Sequence, residues 1–218
     1  MPINDLVAGQ NTVGAALVRT EPIQERSAAR VDALLDAAAE VVDEIGFDRL
    51  TTAMVAERAG ASIGTVYRYF PDRIVLLQAL RDRAVLRYRR AVVSAIREQQ
   101  PEHWWNAVEA AIDSFVAMFR EEAGFRIIRF TDAERSGVPG DEVVRDVSFA
   151  AQFAEILSDE YRLPAGQDLA FRLEIVVEVM DSLINRAFRD DPTGDERYIA
   201  EARIVAREYL ESRYGSGS

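Results

Sequence analysis

The apolar residues of this 218-residue chain recur at the spacing of an α-helix, and no stretch shows the alternation of a half-buried strand. Val31, Leu34, Leu35, Ala38, Val41, Val42 and Ile45 share one helical face, and Gly46 ends that run. Thr51 or Thr52 caps a short helix that stops at Gly60, and Ser62 caps another over 63–69. Phe70-Pro71-Asp72 is a break, after which 73–100 reads as one long helix ended by Pro101. Beyond it, apolar periodicity predicts helices over 102–121, 125–134, 141–161, 167–189 and 195–213. Glycine- and proline-bearing turns at 136–140, 163–166 and 191–194 separate the last of these. The 167–189 segment is apolar on more than one face, as expected of a helix covered from two sides. The fold expected is all-α, with nine helices.

The chain has no cysteine and one histidine, His103. Disulfides and thiolate zinc sites are therefore excluded, and a serine–histidine mechanism has little to draw on. No nucleophile–base pair, phosphate-cradling glycine loop or metal-ligand spacing is present, so the chain reads as a non-enzyme without a cofactor or metal. No apolar stretch has the length of a membrane span and the first twenty residues lack a secretion pattern, so the expected location is cytoplasmic.

The net charge is −11, the wrong sign for a nucleic-acid partner until its distribution is read. Residues 49–90 hold 9 Arg against 3 acids, whereas residues 91–218 hold 14 Arg against 25 acids. Phosphates respond to the local basic patch, because counterion release acts at contact range. That patch contains two short helices joined by Gly60-Ala61-Ser62, the layout of a helix-turn-helix. In its second helix Val66 and Phe70 point inward, while Ser62, Thr65, Tyr67, Arg68 and Tyr69 expose hydrogen-bonding groups. Gly64 lets the backbone approach DNA closely.

The run Ala59-Gly60-Ala61-Ser62-Ile63-Gly64-Thr65-Val66-Tyr67-Arg68-Tyr69-Phe70, with Gly46-Phe47, Thr51-Thr52 and Arg73, resembles the TetR family of bacterial transcriptional regulators. The match covers about residues 27–80; Ala61, Tyr69 and Arg73 depart from the usual valine, histidine and lysine without removing a hydrogen-bonding role. The resemblance implies an all-helical homodimer, a variable C-terminal ligand domain, and repression relieved by a small molecule. It further implies that Thr52, Tyr67, Tyr69 and Arg73 hold phosphates, and that Ser62, Ile63, Gly64, Thr65 and Arg68 face the groove. Arg68 suits either guanine O6/N7 or a phosphate. Arg19, Arg26 and Arg30 belong to a solvated arm or reach DNA.

Residues 102–190 are rich in aromatic side chains. Such a stretch builds a core, and Trp105, Phe115, Phe119, Phe130, Phe153 and Met180 are the candidates to line an apolar pocket instead. Asn106, Asp113, Gln152 and Asn185 could orient a ligand there. The organisation expected is an arm over 1–24, a helix-turn-helix domain over 25–72, a ligand-binding and dimerisation domain over 73–214, and a tail over 215–218. The partners expected are a double-stranded DNA operator, a small-molecule effector and a second copy of the chain, with no membrane. The alternative is a helical ligand- or protein-binding module without DNA-dependent regulation.

Overall fold

A computed structural model of the chain describes residues 3–7, 21–122, 124–127 and 148–216. Among the described residues there are eight α-helices and no strand. Helix α1, Glu21–Ile45, buries Leu34, Leu35, Ala38, Val41 and Val42, as its periodicity requires. It ends at Gly46, whose φ of 81° is open to glycine at little cost. After a 3-10 turn over Phe47–Arg49, two short helices follow: α2, Thr52–Arg58, and α3, Ile63–Tyr69. Thr51, not Thr52, caps α2 by accepting from the Met54 N–H at 3.2 Å. Ser62 caps α3 through the Thr65 N–H at 3.1 Å. Asp72 caps α4, Arg73–Gln99, through the Val75 N–H at 2.9 Å.

Helices α5, Trp104–Glu121, and α6, Phe149–Tyr161, pack beside α4 and each other. Helix α7, Gln167–Ala187, lies between α6 and α8, Glu196–Tyr214. Leu169, Leu173, Val176, Met180, Asp181 and Ile184 are buried, Ile175 and Val179 are half-buried, and Phe171 is 59% exposed. On α8, Ile199, Ala202, Ala206 and Leu210 are buried, while Ile204 and Val205 are exposed at 47% and 37%. Within the span read as a helix at 125–134, Phe125–Ile127 is a 3-10 turn and the rest lies outside the described residues. The turn read at 136–140, the start of the helix read at 141–161, and Phe130 also lie outside them.

Two features differ from a free arm over 1–24. Ile3–Leu6 is a 3-10 turn packed against α4 and α6, with Leu6 fully buried, and α1 starts at Glu21. A lone leucine in an aperiodic segment carries no signal of burial, which is why periodicity misses it.

Helix α1 is tied to the C-terminal helices at several points besides the chain itself. Arg83 of α4 reaches Asp36 at 2.7 Å, and the Gly124 N–H donates to Asp43 Oδ1 at 3.2 Å. At Gly124, with φ of 75°, an added Cβ would lie 2.9 Å from the Ala39 carbonyl oxygen, so the backbones meet there without room for a side chain.

Candidate nucleic-acid interface and an apolar cavity

The helix-turn-helix is anchored from within and leaves one face open. Val66 is fully buried and Phe70 nearly so, which fixes α3 against α1 and α2. The Arg58 guanidinium joins α2 to α1 by reaching Glu40 at 3.1 Å and Glu44 at 2.7 Å. Its hydrogen bond holds the Glu44 carboxyl below the usual carboxylate range. With Val66 inward, Ser62, Ile63, Gly64, Tyr67 and Arg68 are exposed, and Thr65 and Tyr69 are half-buried.

The polar groups on this face are already ordered. Thr52, buried at the start of α2, donates to the Tyr67 hydroxyl at 3.3 Å, fixing one candidate phosphate ligand with another. Ser62 Oγ and Thr65 Oγ1 share a hydrogen bond of 2.9 Å. The Tyr69 hydroxyl accepts from Ser27 of α1 at 3.4 Å, and the Arg68 guanidinium lies 5.8 Å from the Tyr69 ring centroid. Such pre-ordering lowers the entropy lost when a ligand docks.

Arg73 does something that sequence reasoning does not anticipate. Its guanidinium donates to the Phe47 carbonyl, across the turn that joins α1 to α2, and its Nε is buried with no hydrogen-bond partner. The group thus clasps the 47–49 turn to the start of α4. Arg30 is exposed on α1, whereas Arg19 and the Arg26 side chain lie outside the described residues.

The second candidate site is a cavity of about 40 Å³ between α4, α5, α6 and α7. Phe115, Phe153 and Met180 line it, together with Tyr88, Phe149 and Val176. Phe149 and Phe153 stack at 5.3 Å, and Tyr88 lies 5.0 Å from Phe149 and 5.4 Å from Phe115. Tyr88 brings the only hydroxyl of the lining, and it donates to the Ala111 carbonyl at 3.3 Å. Trp105 and Phe119 sit elsewhere in the core. Trp105 stands edge-on to Trp104 with the Arg207 guanidinium 5.5 Å above its ring, and Phe119 is enclosed by Phe115, Phe125 and Phe188.

The polar candidates do not reach the cavity. Asp113 pairs with Arg203 at 2.5 Å, Asn185 donates to Asp181 at 2.9 Å, and Asn106 is exposed. Gln152 accepts from Arg89 Nη1 at 2.8 Å, and Arg89 is itself only 2% exposed. A buried arginine is not visible to periodicity, because its partner is 63 residues away on α6. Among the described residues no helix is long and apolar enough to cross a membrane.

Two family models match the chain. Residues 34–80 match "Bacterial regulatory proteins, tetR family", and residues 102–214 match "Tetracyclin repressor-like, C-terminal domain". A TetR-family transcriptional regulator from Streptomyces coelicolor, known by its crystal structure, is 34% identical, with a TM-score of 0.71 over 84% of this chain and 98% of that one. The HTH-type transcriptional repressor KstR of Mycobacterium tuberculosis is 29% identical over 157 residues, 68% of this chain and 70% of that protein. KstR of Mycolicibacterium smegmatis is 36% identical over 63 residues, which span 29% of this chain and 31% of that protein.

Proposed function

Because the chain belongs to the TetR family of bacterial regulatory proteins, and is therefore a transcription regulator rather than an enzyme, we propose that it is a repressor. It binds a pseudo-palindromic operator as a homodimer and is released by a small, mostly apolar effector. Residues 25–72 bind DNA; residues 73–214 bind the effector and form the dimer. The observation that carries this reading is the pre-ordered open face of α3, set in the basic segment of an otherwise acidic chain.

Thr52, Tyr67 and Tyr69 hold phosphates, which positions the protein without reading sequence. Arg73 contributes by holding the 47–49 turn and by its charge. Ser62, Ile63, Gly64, Thr65 and Arg68 face the groove. Exposed Phe171, Ile204 and Val205 support a dimer contact through α7 and α8, since a large apolar side chain standing in water on adjacent helices calls for a cover. In such a dimer the two α3 helices stand about 34–36 Å apart, one turn of B-DNA.

The effector enters between α4 and α7. A cavity of 40 Å³ has room for only about three water molecules, so a larger molecule must displace its walls. Tyr88 is one of those walls and lies on α4, which begins at the helix-turn-helix. A ligand acts only through its different affinity for two states, so the effector must favour a spacing of the α3 pair that no longer fits DNA. The expected coupling is about 5- to 150-fold in DNA affinity.

The test is binding of the full chain to genomic fragments at two salt concentrations, with light scattering at micromolar concentration. Enrichment of a discrete fragment whose affinity falls steeply with salt, by a particle of twice the chain mass, is expected. A monomer, or no preference over random DNA at either salt, would reject the reading.

A further inference from the structure

We propose that the helix-turn-helix reads a thymine by its 5-methyl group, with Ile63 as the side chain that touches it and Gly64 clearing the space alongside. The inference rests on the operator-binding reading above. Eight large apolar side chains stand well exposed among the described residues, and five of them fall between residues 54 and 75: Met54, Ile63, Tyr67, Ile74 and Val75. Tyr67 has a hydroxyl that suits a phosphate, but a surface that met only phosphates would gain nothing from the other four. Ile63 opens α3 one turn before the buried Val66 and is itself 43% exposed, so the fold does not need it as an anchor.

The groups around Ile63 narrow what it can recognise. Ser62 Oγ and Thr65 Oγ1 are bonded to each other, and Ser62 also caps the Thr65 N–H. Their hydroxyls are thereby drawn into the helix start, which leaves the isoleucine as the group that stands clear. Gly64 has an ordinary helical backbone, where glycine is less stable than alanine. An added Cβ there would meet nothing nearer than Ser62 Oγ at 3.8 Å, so no atom of the protein requires the glycine. An outside surface that comes close to the backbone does. Of the four bases, thymine alone presents a methyl group in the major groove, and apolar side chains read it by contact.

The experiment starts from duplexes enriched by the full chain from a random library. Each thymine of the enriched half-site is then replaced in turn by uracil, which lacks only the methyl. One replacement in one half-site is expected to weaken binding about fourfold, the worth of one buried methyl group, and the same replacement in both half-sites roughly fifteenfold. The variant Ile63→Ala, whose far-ultraviolet circular dichroism should match the parent, is expected to bind the thymine and uracil duplexes equally. Equal binding of every uracil duplex by the parent protein, or a half-site without thymine, would overturn the inference and leave operator binding standing. A full uracil penalty retained in Ile63→Ala would overturn it too. A library that yields no enriched duplex would overturn the operator reading and this inference with it.

Discussion

Replacing Gly124 by alanine tests how tightly α1 is held by the C-terminal helices. The backbone at Gly124 has φ of 75°, which costs a residue with a Cβ about 1 kcal/mol. The new Cβ would lie 2.9 Å from the Ala39 carbonyl oxygen and 3.1 Å from its Cα. Both are backbone atoms of the buried interior of α1, so neither can swing away as a side-chain tip would. Overpacking of this kind costs about 1–3 kcal/mol. Relief by moving the 124–127 turn outward would lengthen the 3.2 Å bond from the Gly124 N–H to Asp43, at about another 1 kcal/mol. The sum expected is about 2–4 kcal/mol, a fall in Tm of roughly 5–15 °C for a chain of this size. Gly60→Ala is the control. Its φ is 58° and nothing lies within 4 Å of the added Cβ, so the backbone cost of about 1 kcal/mol stands alone there. The assay is thermal and urea unfolding of the three proteins followed by circular dichroism. Equal losses in Gly124→Ala and Gly60→Ala would refute the reasoning, because they would mean that the contact with Ala39 is not tight.

Phe119→Ala should cost about 3–5 kcal/mol in urea unfolding, since the ring is fully buried against Phe115, Phe125 and Phe188. Arg73→Ala should lower both Tm and DNA affinity, whereas Tyr67→Phe should lower affinity on all sequences alike with little change in Tm; a stability unchanged in Arg73→Ala would contradict the clasp on Phe47. Arg68→Ala should alter base preference in a selection from random duplexes, and a uniform loss on every sequence would assign Arg68 to a phosphate. Hydrogen bonds from Arg197 and its N–H hold the Asp195 carboxyl down at about 2. A carboxyl lowered on folding stabilises the fold above its unfolded value of about 3.9, and that contribution is lost as pH falls towards 2. Acid unfolding of Asp195→Asn should therefore be flatter between about pH 4 and pH 2, and a curve parallel to the parent's would remove Asp195 from the account.

The helix-turn-helix was legible because its signals are local. Ser62 caps α3 by accepting from an N–H only three residues ahead, and Val66 and Phe70 stand one turn apart on the same inward face. The features that escaped the sequence depend on partners far along the chain. Arg89 finds Gln152 across 63 residues, Arg73 finds the Phe47 carbonyl across 26, and Leu6 is buried by α4 and α6. The exposed pair Ile204 and Val205 escapes the sequence for a different reason. On an amphipathic helix that also presents an apolar strip to the outside, 3.6-residue periodicity cannot say which of two neighbouring apolar rows meets the core. The same limit holds at the cavity: Phe115 and Phe119 are one turn apart on α5, yet only Phe115 lines the space, because Phe125 and Phe188 close over the other.

The three caps at Thr51, Ser62 and Asp72 each close on an N–H three residues ahead, within a stretch of little more than twenty residues. Contacts this short in sequence cost little loop entropy, and segments rich in them fold early and reopen as a unit. Amide exchange in α2 and α3 should then report one shared opening rather than fraying helix by helix. A nascent chain emerging from the ribosome could assemble this segment on α1 long before α7 and α8 exist to complete the C-terminal half. The helix-turn-helix would thus form ahead of the C-terminal half, and the order of synthesis would set the order in which the two halves of the molecule take shape.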